Sequence, residues 1–300
     1  MRMALNLARK GLGKTLPNPM VGAVVVKNKK IVGRGYHKRY GESHAEINAL
    51  MKAGKNASGA TLYVNLEPCC FYGNTPPCTE AIMKAGIKKV VCAAYDPNPK
   101  VKGRGIKKLM EGKIEVEVGV LEKEAKRLNE IYFKFRKKKL PFVILFLNLS
   151  LDGKMVPSEP FYDDSDFQKF LKRLYLEVNG ILVNSMQSEY LFNLLRKEKY
   201  RLFVFDKKRD NTINTLHNLI ENNIFCLLVT GGKEVNTYFL KNKLVDKIYS
   251  FFSPDILGKG ENPFGDLGIF EVSDCVCLEE VKLQEYNSGF LLSGYPLWRR

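Results

Sequence analysis

The sequence has no apolar run close to the roughly 20 residues that a membrane-spanning helix needs. Its longest candidates, Val21–Val26 and Phe142–Leu147, predict buried strands instead. Cysteine is scarce, with 7 in 300 residues, which excludes a disulfide scaffold. The N-terminus lacks the apolar segment and the small-residue cleavage site of a signal peptide. These absences predict a soluble, cytoplasmic protein.

The composition is that of a folded chain. Hydrophobic residues make up 45% of the sequence and charged residues 27%, which excludes intrinsic disorder because enough apolar surface is available for packed cores. A length of 300 residues favours two domains.

Positive charge is concentrated in the first part of the chain. The net charge is +16, and residues 1–140 hold 29 Lys and Arg against 11 Asp and Glu, so this segment carries the whole excess. A basic segment could attract nucleic acid, an anionic membrane surface or a phosphorylated small molecule. A solvated lysine-rich surface is the simpler interpretation of most of these charges.

Strand and helix patterns alternate in the first part, which predicts an α/β fold with a partly parallel sheet. A long charged helix, Leu121–Lys139, ends before Pro141, and the predicted domains are therefore 1–140 and 141–300. The predicted strands are Val21–Val26, Ile31–Tyr36, Ala60–Leu66, Lys88–Ala94 and Ile114–Val118, and the shorter helices are Met3–Lys10, His44–Ala53, Thr79–Ala85 and Ile106–Glu111.

The second part repeats this alternation, so a second α/β domain is expected. Its predicted strands are Phe142–Leu149, Gly180–Val183, Leu202–Phe205, Phe225–Val229 and Lys247–Ser253, and its predicted helices are Phe167–Glu177, Ser188–Lys197 and Val235–Lys241.

Three residues in the first part form a set of metal ligands: His44, Cys69 and Cys78. One imidazole nitrogen and two thiolates can hold a tetrahedral zinc ion and leave the fourth position open for water, as in catalytic sites. Glu46 follows the histidine closely enough to lie beside the metal without binding it, and there it can carry a proton from water to a leaving amine. This arrangement is the pattern of zinc deaminases.

A purely structural interpretation would make His44 a helix cap and the cysteines small buried side chains. It leaves three of the seven cysteines within one ten-residue window unexplained. Cys70 is a competing ligand, and Cys69 is preferred because it directly follows Pro68 as the deaminase pattern requires. Cys69 and Cys78 are both expected near helix starts, where free N–H groups help to hold thiolates.

The spacing of the cysteines separates subclasses of deaminase. Nucleoside and nucleic-acid deaminases typically use Pro-Cys-x-x-Cys, whereas eight residues lie between Cys69 and Cys78. The surrounding motifs are Ala4-Leu5-x-Leu7-Ala8, Pro17-Asn18-Pro19-x-Val21-Gly22-Ala23-Val24, Gly35-x-His37, Gly41-Glu42-x-His44-Ala45-Glu46, Leu66-Glu67-Pro68-Cys69, Gly73-x-Thr75-Pro76-Pro77-Cys78, Asp96-Pro97-Asn98-Pro99, Gly103-Arg104-Gly105 and Leu128-Asn129-Glu130. On these motifs, the first domain resembles the bifunctional deaminase/reductase family of riboflavin biosynthesis.

The resemblance implies a cytidine-deaminase-like N-terminal domain and a dihydrofolate-reductase-like C-terminal domain. It implies zinc-dependent hydrolytic deamination of 2,5-diamino-6-(5-phosphoribosylamino)pyrimidin-4(3H)-one to 5-amino-6-(5-phosphoribosylamino)uracil. It also implies a homo-oligomer. The expected binding partner is this small phosphorylated pyrimidine, and binding to nucleic acid or to a membrane is not expected. The residues that contact substrate in the family correspond to Asn18, His37, Asp96 and Asn98.

Two positions near the zinc ligands depart from the family. Cys70-Phe71 stands where the family has Ser-His, and Asn74 replaces a Lys or Arg. Residues 56–83 contain no Lys or Arg at all, so a cation for the substrate phosphate must come from elsewhere. The candidates near other motifs are Arg34, Lys38, Arg39, Lys102 and Arg104.

The second domain resembles the NADPH-dependent reductase of the same family at Ser150-Leu151-Asp152-Gly153-Lys154 and at several later motifs. Gly231-Gly232 could cradle a cofactor phosphate, although such a pair also occurs in ordinary turns. Phe146 stands where the family has a lysine, Asn184 replaces a glycine and Thr230 an acid. The domain also looks shortened in its middle. We therefore expect the reductase fold with weak or no NADPH-dependent activity.

Two other functions remain open from the sequence. The basic first domain is compatible with a deaminase of tRNA or single-stranded nucleic acid, against which the cysteine spacing and the reductase-like domain argue. The departures at Cys70, Phe71, Asn74 and Phe146 are compatible with a catalytically idle scaffold.

Overall fold

The computed structural model describes residues 1–73, 75–156, 164–183, 201–204 and 212–299. The chain forms two compact units, Met1–Lys139 and Leu140–Arg300. Expectations for Asn74, for Asn184 and for the helix Ser188–Lys197 lie outside the described residues. Within those residues, no helix is both long and apolar enough to cross a membrane.

The first unit is built on a five-stranded sheet in the order β2-β1-β3-β4-β5. Strand β1 is antiparallel to β2 and β3, while β3, β4 and β5 run parallel, as the alternation of helices and strands predicts. The strands are β1 (Gly22–Lys27), β2 (Lys30–Tyr36), β3 (Thr61–Val64), β4 (Lys89–Cys92) and β5 (Glu115–Val118).

Helices cover this sheet, and one of them approaches it unusually closely. They are α1 (Arg2–Ala8), α2 (Ala45–Ala53), α3 (Cys78–Lys84), α4 (Arg104–Glu111), α5 (Glu122–Leu128) and α6 (Glu130–Lys138). A Cβ on Gly35 of β2 would lie 2.4 Å from the carbonyl oxygen of Ala45, and one on Gly33 would lie 2.2 Å from that of Ala49. Only glycine lets α2 lie this close, and this contact fixes the start of α2, where His44 and Glu46 lie.

The single helix expected over Leu121–Lys139 is wrong, because Asn129 divides it into α5 and α6. The Asn129 backbone leaves the helical region (φ −114°, ψ 26°). Its side-chain amide accepts a hydrogen bond from the Met20 N–H (2.8 Å) and donates one to the Met20 carbonyl (2.9 Å). A contact 109 residues away along the chain therefore interrupts a segment with a good local helix pattern.

The second unit contains a seven-stranded sheet in the order β11-β12-β10-β6-β9-β7-β8. The five strands from β10 to β8 run parallel, and β11 and β12 add an antiparallel hairpin. The strands are β6 (Phe142–Leu149), β7 (Gly180–Val183), β8 (Arg201–Val204), β9 (Cys226–Val229), β10 (Lys247–Phe252), β11 (Val276–Tyr286) and β12 (Gly289–Trp298), and the helices are α7 (Ser165–Glu177), α8 (Thr212–Glu221) and α9 (Gly232–Lys241).

The hairpin β11–β12 and the helix α8 are absent from the sequence-based expectations. Most of β11 is exposed and four of its eleven residues are charged, so it lacks the apolar run that marked the buried strand β6. The sequence does contain one signal of this hairpin, the turn residues Asn287-Ser288-Gly289 between two long segments with β-forming residues.

Candidate active site

The structure brings together the three expected metal ligands. His44 immediately precedes α2, Cys78 is the first residue of α3, and Cys69 lies in the loop between β3 and α3. One ligand atom from each residue lies within 4.8 Å of the other two. His44 Nδ1 is 3.2 Å from Cys78 Sγ and 3.5 Å from Cys69 Sγ.

This triangle has the size that a zinc ion requires. Zn–N distances of about 2.0 Å and Zn–S distances of about 2.3 Å, at tetrahedral angles, separate the nitrogen and sulfur ligands by about 3.5 Å. Hydrogen bonds from the Cys78 thiol and from His44 lower the pKa of Cys69 to about 4, while the bond to Cys69 and burial raise the pKa of Cys78. The lowered pKa favours the thiolate form that a metal requires at Cys69, and a bound cation would displace the proton of Cys78.

The expectation that both cysteines lie near helix starts is correct for Cys78 and wrong for Cys69, which belongs to an irregular loop. The N-terminus of α3 nevertheless contacts Cys69 through two hydrogen bonds. The Cys78 N–H donates to Cys69 Sγ (3.3 Å), and the Thr79 N–H donates to the Cys69 carbonyl (3.1 Å). Both sulfur ligands are therefore positioned by the first turn of one helix.

Glu46 lies in the first turn of α2 and is almost completely buried, with 3% of its surface exposed. Its carboxyl group contacts the side chain of Cys78. Burial raises the pKa of Glu46 to about 7, against the opposing effect of His44. A carboxyl group with this pKa can both accept and donate a proton near neutral pH.

Cys70 lies outside the ligand cluster. Its thiol donates to the carbonyl oxygen of Lys100 (3.7 Å), which directs the sulfur away from His44. Cys92 and Cys226 are buried in the strands β4 and β9, and Cys275 and Cys277 lie 3.4 Å apart, sulfur to sulfur, at the start of β11. The geometry therefore favours Cys69 over Cys70 as the ligand.

Asn18 and His37 form a pair beside the ligand cluster. Asn18 Nδ2 lies 3.3 Å from His37 Nε2, and His37 Nδ1 lies 3.2 Å from the carbonyl oxygen of Ser43. Since a carbonyl only accepts, Nδ1 carries the proton and Nε2 accepts from the asparagine. The rings of His37 and His44 meet edge to face at 5.4 Å, so this pair adjoins the metal ligands.

Asp96 and Asn98 shape the loop after β4. The Asp96 carboxylate accepts hydrogen bonds from the Tyr132 hydroxyl (2.9 Å) and from the Asn98 N–H (2.8 Å). Asn98 Oδ1 in turn accepts from the Lys100 N–H (3.1 Å). Burial raises the pKa of Asp96 to about 6. Much of the hydrogen-bonding capacity of Asp96 therefore holds the loop in shape.

Glu67 joins this loop to the zinc-ligand loop, and the sequence reasoning assigned it no role. It is buried and immediately precedes Pro68-Cys69. Its carboxylate accepts hydrogen bonds from four backbone N–H groups, those of Asp96, Gly103, Gly105 and Ile106, at 2.9–3.2 Å. The sequence contains one indication of this role. Glu67 stands in an apolar motif next to a metal ligand, and a carboxylate buried there must have hydrogen-bond partners.

Replacing Glu67 with Gln should destabilise the first unit by about 1–3 kcal/mol, because the amide presents its own N–H groups to backbone donors and leaves some of them unsatisfied. Urea unfolding would measure the loss. Glu124→Gln, at an exposed position of α5, is the matched control and should change stability by no more than about 0.5 kcal/mol. Equal stabilities of the two variants would contradict the role of Glu67.

In the second unit, Gly231 lies between β9 and α9 and Gly232 is the first residue of α9, at the carboxyl end of a parallel strand. Open α/β sheets bind ligands at this edge. Gly232 has a φ of +81°, and a Cβ on Gly231 would lie 2.6 Å from a methyl carbon of Val235. The start of α9 therefore requires both glycines for its own packing.

Two buried polar atoms lie at the carboxyl ends of neighbouring parallel strands. Asn148 Oδ1 on β6 and Ser253 Oγ after β10 have no hydrogen-bond partner among the described residues. Phe146, at the position where a lysine was expected, packs with Phe167, Phe251 and Leu291. This edge of the sheet thus keeps polar groups that a ligand could satisfy, but it offers an apolar side chain in place of a charged one.

Comparison with known proteins identifies both units. The model of the cytidine and deoxycytidylate deaminase zinc-binding region matches residues 1–94, and the model of the RibD C-terminal domain matches residues 177–292. The diaminohydroxyphosphoribosylamino-pyrimidine deaminase of Buchnera aphidicola is 50% identical over 141 residues, which cover 47% of this chain and 96% of that protein.

Similarity also extends over the whole chain. The riboflavin biosynthesis protein RibD of Aquifex aeolicus is 36% identical over 343 aligned residues, covering 97% of this chain and 96% of that protein. Among solved structures, RibD of Acinetobacter baumannii matches with a TM-score of 0.87 and 27% identity. A Thermotoga maritima deaminase/5-amino-6-(5-phosphoribosylamino)uracil reductase matches with a TM-score of 0.85 and 32% identity, and each match covers 99% of this chain and 97% of the other.

These matches confirm the family indicated by the motifs. They also confirm the fold class, a cytidine-deaminase-like domain followed by a dihydrofolate-reductase-like domain. The chain belongs to the RibD family of riboflavin biosynthesis proteins.

Proposed function

We propose that residues 1–140 form a zinc-dependent domain that deaminates 2,5-diamino-6-(5-phosphoribosylamino)pyrimidin-4(3H)-one at its 2-amino group. The products are 5-amino-6-(5-phosphoribosylamino)uracil and ammonia. The observation that carries the proposal is the convergence of His44, Cys69 and Cys78 with the buried carboxyl group of Glu46 beside them. The Buchnera relative, whose name states this deaminase activity, matches over 141 residues, which is 47% of this chain.

His44, Cys69 and Cys78 would hold the zinc ion, which supplies Lewis acidity and makes a water nucleophilic near neutral pH. Glu46 is the catalytic residue of the chain. Its carboxylate accepts the proton of the attacking water and delivers it to the leaving amino nitrogen. Burial keeps bulk water from the carboxylate and maintains the raised pKa that this transfer in both directions needs.

Asn18 and His37 would orient the pyrimidine. The His37 ring accepts from the Asn18 amide nitrogen and so fixes which way the amide points. The Asn18 carbonyl oxygen, which no described residue bonds, is then directed to amino hydrogens of the ring. Asp96 would act by positioning Asn98, whose side-chain NH2 group can donate to a ring acceptor.

Release of ammonia from the diaminopyrimidine phosphate, with and without NADPH, tests the deaminase proposal. Mass spectrometry of the product should show that oxygen has replaced one amino group, in both conditions. A zinc-loaded protein that releases no ammonia from this substrate would contradict the proposal and favour a catalytically idle scaffold.

For residues 141–300 we propose a reductase-like domain that binds NADPH at the carboxyl edge of its parallel strands. The unsatisfied Asn148 Oδ1 and Ser253 Oγ and the Gly231–Gly232 turn at the same edge support binding. Phe146 packs into an aromatic cluster at this position and, unlike the lysine of the family, carries no charge. We therefore propose that reduction is weak or absent although the cofactor binds.

NADPH is expected to bind, with a change in its fluorescence, but not to be consumed at a significant rate with the deaminated product as substrate. Absorbance of NADPH during steady-state turnover measures the second quantity. Turnover at rates typical of enzymes, with kcat of order 1–10³ s⁻¹, would contradict the assignment of weak activity.

The homo-oligomeric state stays a prediction from the resemblance, and light scattering would measure it.

A further inference from the structure

The proposed substrate carries a phosphate, but the segment that supplies both cysteine ligands carries no cation. Residues 56–83 contain neither Lys nor Arg. Any cation that binds a phosphate monoester in this site must therefore come from another segment of the fold. The structure places one such cation directly over the Cys69 loop.

The backbone of Lys100 makes two hydrogen bonds, one within its own loop and one to the Cys69 loop. Its N–H donates to Asn98 Oδ1 (3.1 Å), and its carbonyl accepts from the thiol of Cys70 (3.7 Å). Asn98 is itself fixed by the bond between its N–H and Asp96. Lys100 is therefore tied both to the residue after a zinc ligand and to a residue expected to contact the pyrimidine.

The side chain of Lys100 extends over the same loop. Its ammonium nitrogen lies 5.8 Å from the centre of the Phe71 ring, and Phe71 is two residues beyond Cys69. An aromatic face attracts a cation but does not neutralise its charge. The residue is exposed and makes no ion pair within the described part of the chain. Its charge is thus available to an anion.

Two other cations, Lys108 and Arg104, lie near Cys70, and the first of them is already engaged. Lys108 pairs with Glu80 at 2.8 Å, and Glu80 also accepts from the Tyr72 hydroxyl. Lys102 is exposed and lies on the same loop as Lys100, but no described contact ties its side chain to the Cys69 loop. Of the lysines in this region, Lys100 therefore combines a described contact with the Cys69 loop and a charge without an ion pair among the described residues, and the sequence did not indicate it as a candidate.

We propose that Lys100 forms an anion subsite at the deaminase site and binds the phosphate monoester of the substrate. This assignment rests on the proposed deaminase function. Phe71 holds the ammonium group over the loop, and Cys70 anchors the backbone beneath it. The two departures from the family at Cys70 and Phe71 then have a positive role, because they position a lysine from a different loop.

Kinetics with two substrates test the subsite in the zinc-loaded enzyme. Lys100→Gln is expected to raise KM for the phosphorylated pyrimidine by about tenfold with kcat nearly unchanged, since it removes an interaction equally strong in ground and transition states. The dephosphorylated riboside should show no change in KM. Lys102→Gln is the matched control, and it should leave both substrates unaffected.

Two outcomes would overturn the assignment. An equal effect of Lys100→Gln on both substrates would show a general loss of the site. If Lys102→Gln raised KM for the phosphorylated substrate as much as Lys100→Gln does, both lysines would act by long-range attraction and Lys100 would not form a subsite.

Binding of ribose 5-phosphate, with ribose as the matched ligand, separates this proposal from the deaminase function. In ³¹P NMR titrations, Lys100→Gln should weaken ribose 5-phosphate binding while Lys102→Gln does not. If the wild-type enzyme binds ribose 5-phosphate through Lys100 but releases no ammonia, the deaminase function is wrong and the anion subsite is correct. If ammonia is released and Lys100→Gln binds ribose 5-phosphate normally, the subsite is wrong and the deaminase function is correct.

Discussion

Replacing Glu46 with Gln is expected to lower kcat for ammonia release by about 10²–10⁴-fold, the range attributed to general acid–base catalysis. The amide has the shape of the carboxyl group but cannot carry a proton between water and the leaving nitrogen. Zinc should remain bound at full stoichiometry, because Glu46 contacts Cys78 without being one of the three ligands. Ammonia release and metal analysis of the same preparation measure both quantities.

Glu111→Gln, at an exposed position of α4, is the matched control and should retain wild-type turnover. Glu46→Gln protein with undiminished turnover would contradict the proton-transfer role. If zinc were lost together with activity, Glu46 would instead be a determinant of metal binding, and the division between three ligands and one proton carrier would be wrong.

Cys69→Ser is expected to remove the zinc and to reduce deamination by about 10³-fold or more, because a site that cannot hold the metal loses its means of activating water. A serine hydroxyl is a poor zinc ligand at neutral pH, whereas the Cys69 thiol already has its pKa lowered to about 4. Zinc content after dialysis and the rate of ammonia release provide the two measurements.

Cys70→Ser distinguishes the two neighbouring cysteines. It should keep the full zinc content, because the Cys70 sulfur is bonded to the Lys100 carbonyl and lies outside the ligand cluster. Cys275→Ser, in the second unit, controls for the general effect of a cysteine replacement and should leave zinc and turnover unchanged. Loss of zinc from Cys70→Ser with retention in Cys69→Ser would reverse the ligand assignment.

Most secondary structure followed from local patterns. Strand β6 has the predicted bounds, because the apolar run Phe142–Leu147 between Pro141 and Asn148 favours a buried strand. Helix α2 ends before Gly54 as predicted, since glycine has the freedom to end a helix there. The failure at Asn129 has a different origin. Its local pattern is helical, and a bond to Met20 from the far end of the unit overrides it.

The same distinction between local patterns and contacts with distant residues applies to the site. His44, Glu46, Cys69 and Cys78 were identifiable because metal chemistry restricts the residue types that can serve, and their spacing lies within motifs. Glu67 and Lys100 were not identifiable in this way. Glu67 acts through backbone N–H groups of another loop, and Lys100 is placed by contacts with Cys70 and Phe71 of another loop. Neither glutamate nor lysine is restricted to one role in a sequence.

The sequence by itself indicated the chemistry of this protein: the candidate zinc ligands, the candidate proton carrier, the family and the alternation of strands and helices. The tertiary structure alone decided how the loops meet. It paired Asn18 with His37, used Glu67 to join two loops and placed Lys100 over Phe71. The physical reason is that ligand identity depends on the functional groups of single side chains, whereas contacts between distant loops depend on the close approach of backbones, which no local pattern encodes.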